Sequence, residues 1–148
     1  MSAVALIEVT RDNVRDVCKL VLGPRQDKMV APAAHTVAEA HYYAGSGSLL
    51  RAIALDGRVV GLLWVLTEDE DSDVPSLVRF MVDQGHQRQG VGRSAVALLL
   101  AELRDAGHAA MELSYVPIEG GAEGFWLGCG FAPTGREHGG EKVVRIAL

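Results

Sequence analysis

Residues 78–94 read VRFMVDQGHQRQGVGRS, and this stretch indicates the fold more clearly than any other part of the chain. An apolar strand pattern gives way to a polar turn with Gly90 and Gly92, and an apolar helix pattern follows directly. A helix that begins in this way directs unpaired backbone N–H groups and the positive end of its dipole toward the turn. No carboxylate lies between Gln84 and Ser94 to repel an anion. The stretch therefore predicts a binding site for phosphate groups.

Length and composition predict a single domain, residues 1–148. The chain has 148 residues, of which 49% are hydrophobic, enough for one substantial core. No apolar run approaches the roughly 20 residues that span a bilayer, and the N-terminus lacks the basic region of a signal peptide. Cys18 and Cys129 have no metal-ligand spacing and suit a reducing compartment. We therefore expect a cytoplasmic protein with no membrane segment and no bound metal.

The negative charge is concentrated in one predicted loop. The chain has 19 acidic and 14 basic side chains, and five of the acids lie within Glu68–Asp73, so the remainder is balanced. Such a distribution argues against nucleic acid as a partner. The loop is either a solvated surface segment or a surface that attracts a cationic substrate through Glu68, Glu70 and Asp71.

Periodicity and turn residues predict a mixed α/β domain. The predicted strands are Ala3–Val9, Leu49–Leu55, Arg58–Leu66, Val74–Val82, Ala109–Val116, a strand from Phe131, and Glu141–Leu148. The predicted helices run from an N-cap at Thr10 to Leu22, over His35–Ala44, over Gly92–Ala106 and over Gly120–Cys129. Asp56-Gly57 predicts a tight hairpin between the second and third strands.

Three kinds of phosphate site compete for the glycine turn. A P-loop needs Lys and then Ser or Thr after its second glycine, but Val91 follows Gly90, which excludes it. Residues 90–95 do match the dinucleotide fingerprint, with Glu112 about 20 residues further on. However, a hairpin precedes the turn where further parallel units are expected, and Glu112 falls inside a strand. A dinucleotide-binding oxidoreductase is therefore a distant alternative.

The third explanation also uses the residues before the glycines. Gln87–Gly92 matches Q/R-x-x-G-x-G/A, the acetyl-CoA pyrophosphate loop of the GNAT superfamily of N-acetyltransferases, which this chain resembles. Ala122–Phe131 is similar to the A-x-x-[L/F]-Y-x-x-x-G-F segment of the same superfamily. The resemblance covers nearly the whole chain. It implies a GNAT fold with a mostly antiparallel sheet of six to seven strands and about four helices. It also implies acetyl-CoA as cofactor and N-acetyltransferase activity.

Shorter strings resemble bacterial spermine/spermidine-type acetyltransferases. They are Val30–Pro32, Arg79–Asp83, Ser114–Pro117 and Gly139–Val143. This resemblance agrees with the acidic loop, because a polyamine is an elongated polycation. The implied reaction is acetyl transfer to a primary amine of a small cationic substrate, by direct attack in a ternary complex. The sequence does not decide whether the protein is a monomer or a homodimer.

The resemblance also implies which residues hold the cofactor. The backbone of the strand before the turn pairs with the pantetheine arm, and the N–H of Val82 donates to the thioester oxygen. Glu119 stands where the family usually has Asn, and Trp126 stands where it has the Tyr that protonates the departing thiolate. The implied cofactor-binding residues are Met81, Val82, Gln87, Arg88, Gln89, Gly90, Val91, Gly92, Arg93, Ser94, Glu119 and Trp126.

Catalytic and substrate-binding residues follow from the chemistry. An alkylammonium with pKa near ~10 must lose a proton before it attacks, and Glu141, Asp83 or the acidic loop are candidate acceptors. Tyr115 is a further polar candidate, and Asp83 is also a candidate for substrate binding. Trp126 can donate a hydrogen bond to a thiolate but cannot protonate it, so it either slows catalysis or serves as a core aromatic residue. A catalytically weak acetyl-CoA-binding protein is therefore the alternative to an active enzyme.

Overall fold

The computed structural model describes residues 3–23, 31–68, 70 and 72–148. One sheet contains seven strands: β1 Val4–Glu8, β2 Ser48–Leu55, β3 Arg58–Leu66, β4 Ser76–Val82, β5 Ala110–Tyr115, β6 Ala132–His138 and β7 Glu141–Ala147. The helices are α1 Val14–Cys18, α2 Ala33–Tyr42, α3 Val91–Asp105 and α4 Glu123–Gly128, with short 3-10 helices at Ala44–Ser46 and Gln84–His86. The predicted mixed α/β architecture, with seven strands and four helices in the described ranges, is confirmed. No helix in these ranges is long and apolar enough to cross a membrane.

The strand order is β1-β2-β3-β4-β5-β7-β6, and among these strands only β4 and β5 pair in parallel. The hairpin between β2 and β3 turns at Asp56 and Gly57, whose φ angles are 50° and 84°. Positive φ at both central residues is the property of the tight turn predicted from Asp-Gly. A doubly wound dinucleotide fold requires several parallel pairs, so the topology excludes that alternative.

The two faces of the sheet are covered by different helices. On one face α3 and α4 bury a large apolar cluster that includes Leu63, Leu99 and Trp126. On the other face α1 and α2 cover a smaller cluster, in which Val17 and Ala33 of the helices pack against residues of the neighbouring strands. We call these the α3/α4 face and the α1/α2 face.

The sheet opens between β4 and β5. Ser76 and Glu112 are the register pair of these two strands, and the N–H of Glu112 donates to the carbonyl of Pro75 at 3.0 Å. Both strands lie wholly within the described residues, and no further register pair follows toward their ends. The parallel strands therefore separate beyond Ser76, which leaves backbone groups of both strands open to a ligand.

The first helix is shorter than predicted, and the prediction of a helix to Leu22 was wrong. The Asn13 side chain accepts a hydrogen bond from the N–H of Thr10 at 2.7 Å and donates to the carbonyl of Glu8, which delays the helix start to Val14. At the other end, Val21 is bonded to residues that follow β4. Tertiary hydrogen bonds therefore replace the last helical turns.

The last helix is also shorter than the predicted span Gly120–Cys129. Gly120 has φ of 73°, outside the right-handed helical region. A Cβ on Gly121 would lie 2.9 Å from the carbonyl oxygen of Ile118, so the chain makes a tight turn there. The helix accordingly begins only at Glu123.

Candidate active site

A cleft of about 1050 Å³ lies between β4 and β5. It is lined by parts of both strands, the glycine turn, the segment before α4 and one face of α4. The lining residues are Ala31, Leu77, Val78, Arg79, Phe80, Val82, Gln87, Arg88, Gly90, Gly92, Arg93, Leu113, Ser114, Tyr115, Val116, Gly120, Gly121, Ala122, Phe125, Trp126 and Glu141. Its size is at the upper end of the range of about 300–1,000 Å³ typical of small-molecule sites.

Alternation of the β4 backbone decides which main-chain groups face this cleft. The N–H of Asp83 donates to Val60 in β3 at 2.7 Å, and the carbonyl of Met81 also points toward β3. Successive residues of a strand direct these groups to opposite edges, so Phe80 and Val82 direct theirs into the cleft. The sequence assigned both Met81 and Val82 to the cofactor. In the structure Met81 is turned away, because two adjacent residues cannot face the same edge.

The glycine turn exposes a run of backbone N–H groups. Arg88 and Gly90 both have positive φ, 61° and 79°, which folds the backbone into a concave, anion-binding shape. The first bond that closes α3 runs from the N–H of Ser94 to the carbonyl of Gly90, at 3.1 Å. The N–H groups of residues 91–93 therefore lack acceptors within the helix.

The two glycines of the turn serve different purposes. Nothing lies within 4 Å of a Cβ placed on Gly90, so its positive φ is what requires glycine, and the space beside it is open. A Cβ on Gly92 would lie 3.2 Å from the ring of Phe125. Gly90 therefore leaves room for a ligand, whereas Gly92 leaves room for α4 to pack against α3.

Some side chains of the glycine turn bond to the protein backbone, and others line the cleft. The Gln87 amide donates to the carbonyl of Val82 at 2.9 Å and so ties the turn to the end of β4. Gln89 reaches the carbonyl of Gly85 only at 3.5 Å. Arg88 and Arg93 line the cleft, and neither forms an ion pair within the described parts of the chain. Gln89, Val91 and Ser94, which the sequence also assigned to the cofactor, do not line the cleft.

Trp126 is both a core residue and part of the cleft wall. Its indole ring packs against Phe80, Phe125 and Phe131, with ring centroids 4.8 to 5.5 Å away. Only 7% of the residue is exposed. The indole N–H forms no hydrogen bond within the described residues. Trp126 therefore packs in the core and also forms part of the cleft wall.

Tyr115 is held by a carboxylate at the start of α4. Its hydroxyl donates to Glu123 Oε1 at 2.8 Å, and Lys142 Nζ lies 3.9 Å from the same oxygen. Burial raises the pKa of Tyr115 above its ordinary value near 10, and the hydrogen bond to Glu123 and the charge of that carboxylate raise it further. Tyr115 is therefore protonated and hydrogen-bonded at neutral pH.

Glu141 enters the cleft from the start of β7. The Ser114 hydroxyl lies 3.4 Å from Glu141 Oε1, on the β5 wall of the cleft. Glu141 is the one carboxylate among the described lining residues, which otherwise carry only arginine charges. Glu141 therefore lines the cleft, and its role in catalysis stays a prediction.

Other residues suggested by the sequence lie away from the cleft. Asp83 accepts hydrogen bonds from the N–H groups of Val21 and Gly85, so it joins the segment after α1 to the end of β4. Glu119, Glu68 and Glu70 are exposed and do not line the cleft. Asp71 and the Val30 position of the polyamine-type string lie outside the described residues.

Glu112 has a structural explanation that replaces a ribose-binding one. It is 5% exposed and pairs with Arg136 and with Arg145 Nη1, the latter at 2.9 Å. Arg145 also pairs with Asp73 of the acidic loop at 3.3 Å. The carboxylate therefore joins three strands and the loop at the closed end of the cleft. Among described residues, no group of three or more His, Cys, Asp or Glu could hold a metal ion.

Comparison with known proteins agrees with the geometry of the cleft. The model of the acetyltransferase (GNAT) family matches residues 16–131, which is most of the chain. The chain belongs to the GNAT acetyltransferase family. The family uses acetyl-CoA, so this GNAT protein is an acetyl-CoA-dependent acetyltransferase. No curated protein sequence matches it.

Solved structures with low sequence identity share the fold of this GNAT chain. An acetyltransferase from Thermus thermophilus has a TM-score of 0.80 at 17% identity, covering 98% of this chain and 97% of that one. The GNAT domain of PAT from S. lividans has a TM-score of 0.78 at 14% identity, covering 99% and 90%. The PaiA N-acetyltransferase from Thermoplasma acidophilum, in complex with coenzyme A, has a TM-score of 0.74 at 8% identity, covering 99% of each chain.

The glycine turn of this acetyltransferase fits the cofactor. The space beside Gly90 is open, the N–H groups of residues 91–93 lack helical acceptors, and the two arginines of the turn line the same cleft. These groups suit phosphates, and the apolar walls of β4 and β5 suit the pantetheine arm. Phe80 and Arg79 were missed as lining residues from the sequence. Strand alternation alone could have suggested Phe80, but Arg79 lines the cleft because β4 and β5 separate beyond Ser76, which no local sequence pattern predicts.

Proposed function

We propose that this enzyme transfers the acetyl group to a primary amine bound beside Glu141, by direct attack within a ternary complex. The position of Glu141, a cleft-lining carboxylate beside Ser114, is the observation that supports this. An amine with pKa near ~10 arrives protonated, and a carboxylate can accept its proton directly or through one water.

The cofactor half of the proposal rests on backbone groups. Residues 91–93 bind the pyrophosphate through their N–H groups, and Arg88 and Arg93 add charge. Bound acetyl-CoA supplies an activated acetyl thioester. The N–H of Val82, which points into the cleft by strand alternation, donates to the thioester oxygen.

A polyamine is the finer substrate hypothesis, and it derives from the acidic loop and the short strings. Glu68 and Glu70 are exposed and outside the cleft lining, so they would act by long-range attraction rather than by contact. We therefore include polyamines as one class in the test below.

Trp126 supports a second candidate, a member of the family with weak catalysis. By the resemblance of residues 122–131, it stands in the position of the family's Tyr, and it has no proton to give to a thiolate. A thiol with pKa near ~8.5 leaves fairly well as its anion, so we expect slow turnover rather than none. An active enzyme is the favoured proposal.

Release of the CoA thiol, measured with a panel of polyamines, amino acids, aminoglycosides and simple alkylamines, tests the proposal. At least one primary amine should be acetylated, and Glu141→Gln should lower kcat/KM by about 10²-fold or more. Glu137→Gln is the matched control, because Glu137 is an exposed carboxylate in the adjacent strand β6 and does not line the cleft. Tight acetyl-CoA binding without thiol release from any amine would favour the weakly catalytic alternative. An unchanged rate for Glu141→Gln would exclude Glu141 as the proton acceptor.

A further inference from the structure

Arg79 lies on the α1/α2 face, paired with Trp64 of β3, and β4 contains one extra residue beside it. Trp64 of β3 pairs with Arg79, whereas the next residue, Val65, pairs with Leu77, so Val78 is the additional residue. Val78 packs in the small cluster around Trp64, and Leu77 packs under α3. Arg79 alternates regularly with Phe80 and Met81, and the bulge places Val78 on the same face as Arg79. Bulges that redirect a side chain are common beside active sites.

Within the part of the chain that the structure describes, the Arg79 guanidinium is only loosely neutralised. Its Nη2 lies 3.4 Å from Glu39 Oε1, longer than the 2.7–2.9 Å or so of a strong charged hydrogen bond. The same oxygen lies 2.6 Å from His35 Nε2, which is a closer partner. Arg79 Nη1 donates to the carbonyl of Val78 at 3.1 Å, and the guanidinium carbon lies 5.9 Å from the Trp64 ring centre. Among the described residues, two of its five donors are therefore engaged, and a quarter of the side chain is exposed at a residue that lines the cleft.

Arg79 is poorly placed to bind the cofactor phosphates. Val82 lies three residues further along β4, a distance of about 10 Å, and the glycine turn lies beyond that. The turn also opens next to α3, whereas Arg79 faces α1 and α2. Arg88 and Arg93 already provide charge at the turn. Arg79 therefore belongs to the part of the cleft that lies away from the glycine turn.

We propose that Arg79 binds a carboxylate of the acceptor, so that the acetylated substrate is an amino acid or another amine that carries a carboxylate. This rests on the proposed amine acetylation. Apart from the turn arginines, the described lining of the cleft contains one cation, Arg79, and one carboxylate, Glu141, which suits a substrate with both charges. A guanidinium recognises a carboxylate with two parallel hydrogen bonds. Glu39 beside it favours a singly charged group over a doubly charged phosphate.

This inference and the polyamine hypothesis are alternatives. A polyamine has no anionic group for Arg79, and the guanidinium would repel a second ammonium group near it. Matched amine pairs therefore separate them. Alanine with ethylamine, leucine with isoamylamine, and lysine with cadaverine differ only by the carboxylate.

Steady-state thiol-release kinetics with these pairs test the proposal. The unmodified enzyme should prefer the carboxylated member of at least one pair by about tenfold or more in kcat/KM. Arg79→Gln should raise KM for that member by about tenfold or more and leave KM for the plain amine within about twofold. Arg79→Lys should retain part of the preference for the carboxylated substrate, because the lysine ammonium keeps the positive charge but lacks the two parallel donors of the guanidinium. Arg51→Gln is the control, since Arg51 pairs with Glu102 at 2.9 Å outside the cleft.

A binding measurement distinguishes failure of this proposal from failure of amine acetylation. Calorimetric titration of the CoA-loaded protein with N-acetylalanine, N-acetylleucine and the matching N-acetylamines reports the carboxylate contact without any chemistry. Tighter binding of the N-acetylamino acid, lost in Arg79→Gln, supports the inference even if no amine is acetylated. Equal binding of both products, or equal loss of both in Arg79→Gln, overturns it. Acetylation of cadaverine in preference to lysine would also overturn it and would favour the polyamine hypothesis.

Discussion

The backbone of Gly92 lies directly against the ring of Phe125, with 3.2 Å between the ring and the position a Cβ would take. Phe125 in turn packs against Trp126 and Phe80, so this contact joins the start of α3 to the aromatic wall of the cleft. Gly90, two residues earlier, has open space at the same position. Substitutions at the two glycines should therefore act through different causes.

Gly92→Val should destabilise the protein by about 2 kcal/mol, because the larger side chain displaces Phe125. Phe125→Ala removes the obstacle, so the double variant should recover at least about 0.5 kcal/mol relative to the sum of the single changes. Gly90→Ala should cost about 1 kcal/mol through its left-handed backbone and weaken acetyl-CoA binding. Urea unfolding and calorimetric titration with acetyl-CoA measure these effects. If the effects of Gly90→Ala and Phe125→Ala on the free energy of unfolding are not additive, Gly90 also packs against Phe125, which would contradict the different roles of the two glycines.

Trp126→Tyr should raise kcat by up to about 10²-fold if thiolate protonation limits turnover, because it restores a titratable hydroxyl to the cleft wall. Trp126→Phe is the matched control, since it makes a similar reduction in ring size without a hydroxyl. Thiol release at saturating acetyl-CoA with the best amine of the panel provides the measurement. Equal rates for the Tyr and Phe variants would show that Trp126 contributes packing alone.

Glu112→Gln should lower the free energy of unfolding by about 2 kcal/mol, because it removes a buried charge that is paired with Arg136 and Arg145. The loss should fall below the 3–5 kcal/mol or so of fully buried pairs, since both arginines are partly exposed. Glu137→Gln, at an exposed position of β6, should stay within about 0.5 kcal/mol. Urea denaturation compares the two, and similar losses in both variants would contradict the structural role of Glu112.

Tyr115 should make stability depend on pH at the alkaline end. Its pKa is raised by burial and by Glu123, so the folded protein holds this proton more tightly than the unfolded chain does. The stabilisation is fully present below the unfolded pKa near ~10 and is lost as pH rises through the folded pKa. The free energy of unfolding should therefore fall more steeply above about pH 10 in the unmodified protein than in Tyr115→Phe. Parallel slopes would mean that the Tyr115 pKa is not raised.

Neutralising Glu68 and Glu70 together should affect only long-range attraction, because both side chains lie outside the cleft lining. The Debye length is about 30 Å at 0.01 M salt and about 8 Å at 0.15 M. On the polyamine hypothesis, the Glu68→Gln/Glu70→Gln variant should thus raise KM for spermidine several-fold at the lower ionic strength and by less than about twofold at the higher one. Neutral amines should show no change at either. A large, salt-independent rise would instead indicate direct contact with the substrate.

Local patterns in the sequence predicted most elements but not all of their limits. Asp56-Gly57 and the alternation on either side of it are sufficient for the β2–β3 hairpin, because the turn requires residues that tolerate positive φ. The predicted end of the first helix was wrong because its last turns compete with two distant hydrogen bonds. The N–H of Val21 donates to Asp83, and the carbonyl of Val21 accepts from the N–H of Gln84, more than 60 residues away. No window of neighbouring residues contains that information.

The sequence by itself determined the glycine turn, the family and hence the cofactor, since backbone geometry and spacing near Gly90 are local properties of the chain. The tertiary structure decided which residues share the cleft. It turned Met81 away from the opening and Phe80 toward it, and it placed Glu141 beside Ser114 across a strand pair. It also placed Val78 next to Arg79 on the α1/α2 face, through a bulge whose register is fixed by pairing with β3. Such facts depend on contacts between distant segments, which residue spacing alone does not encode.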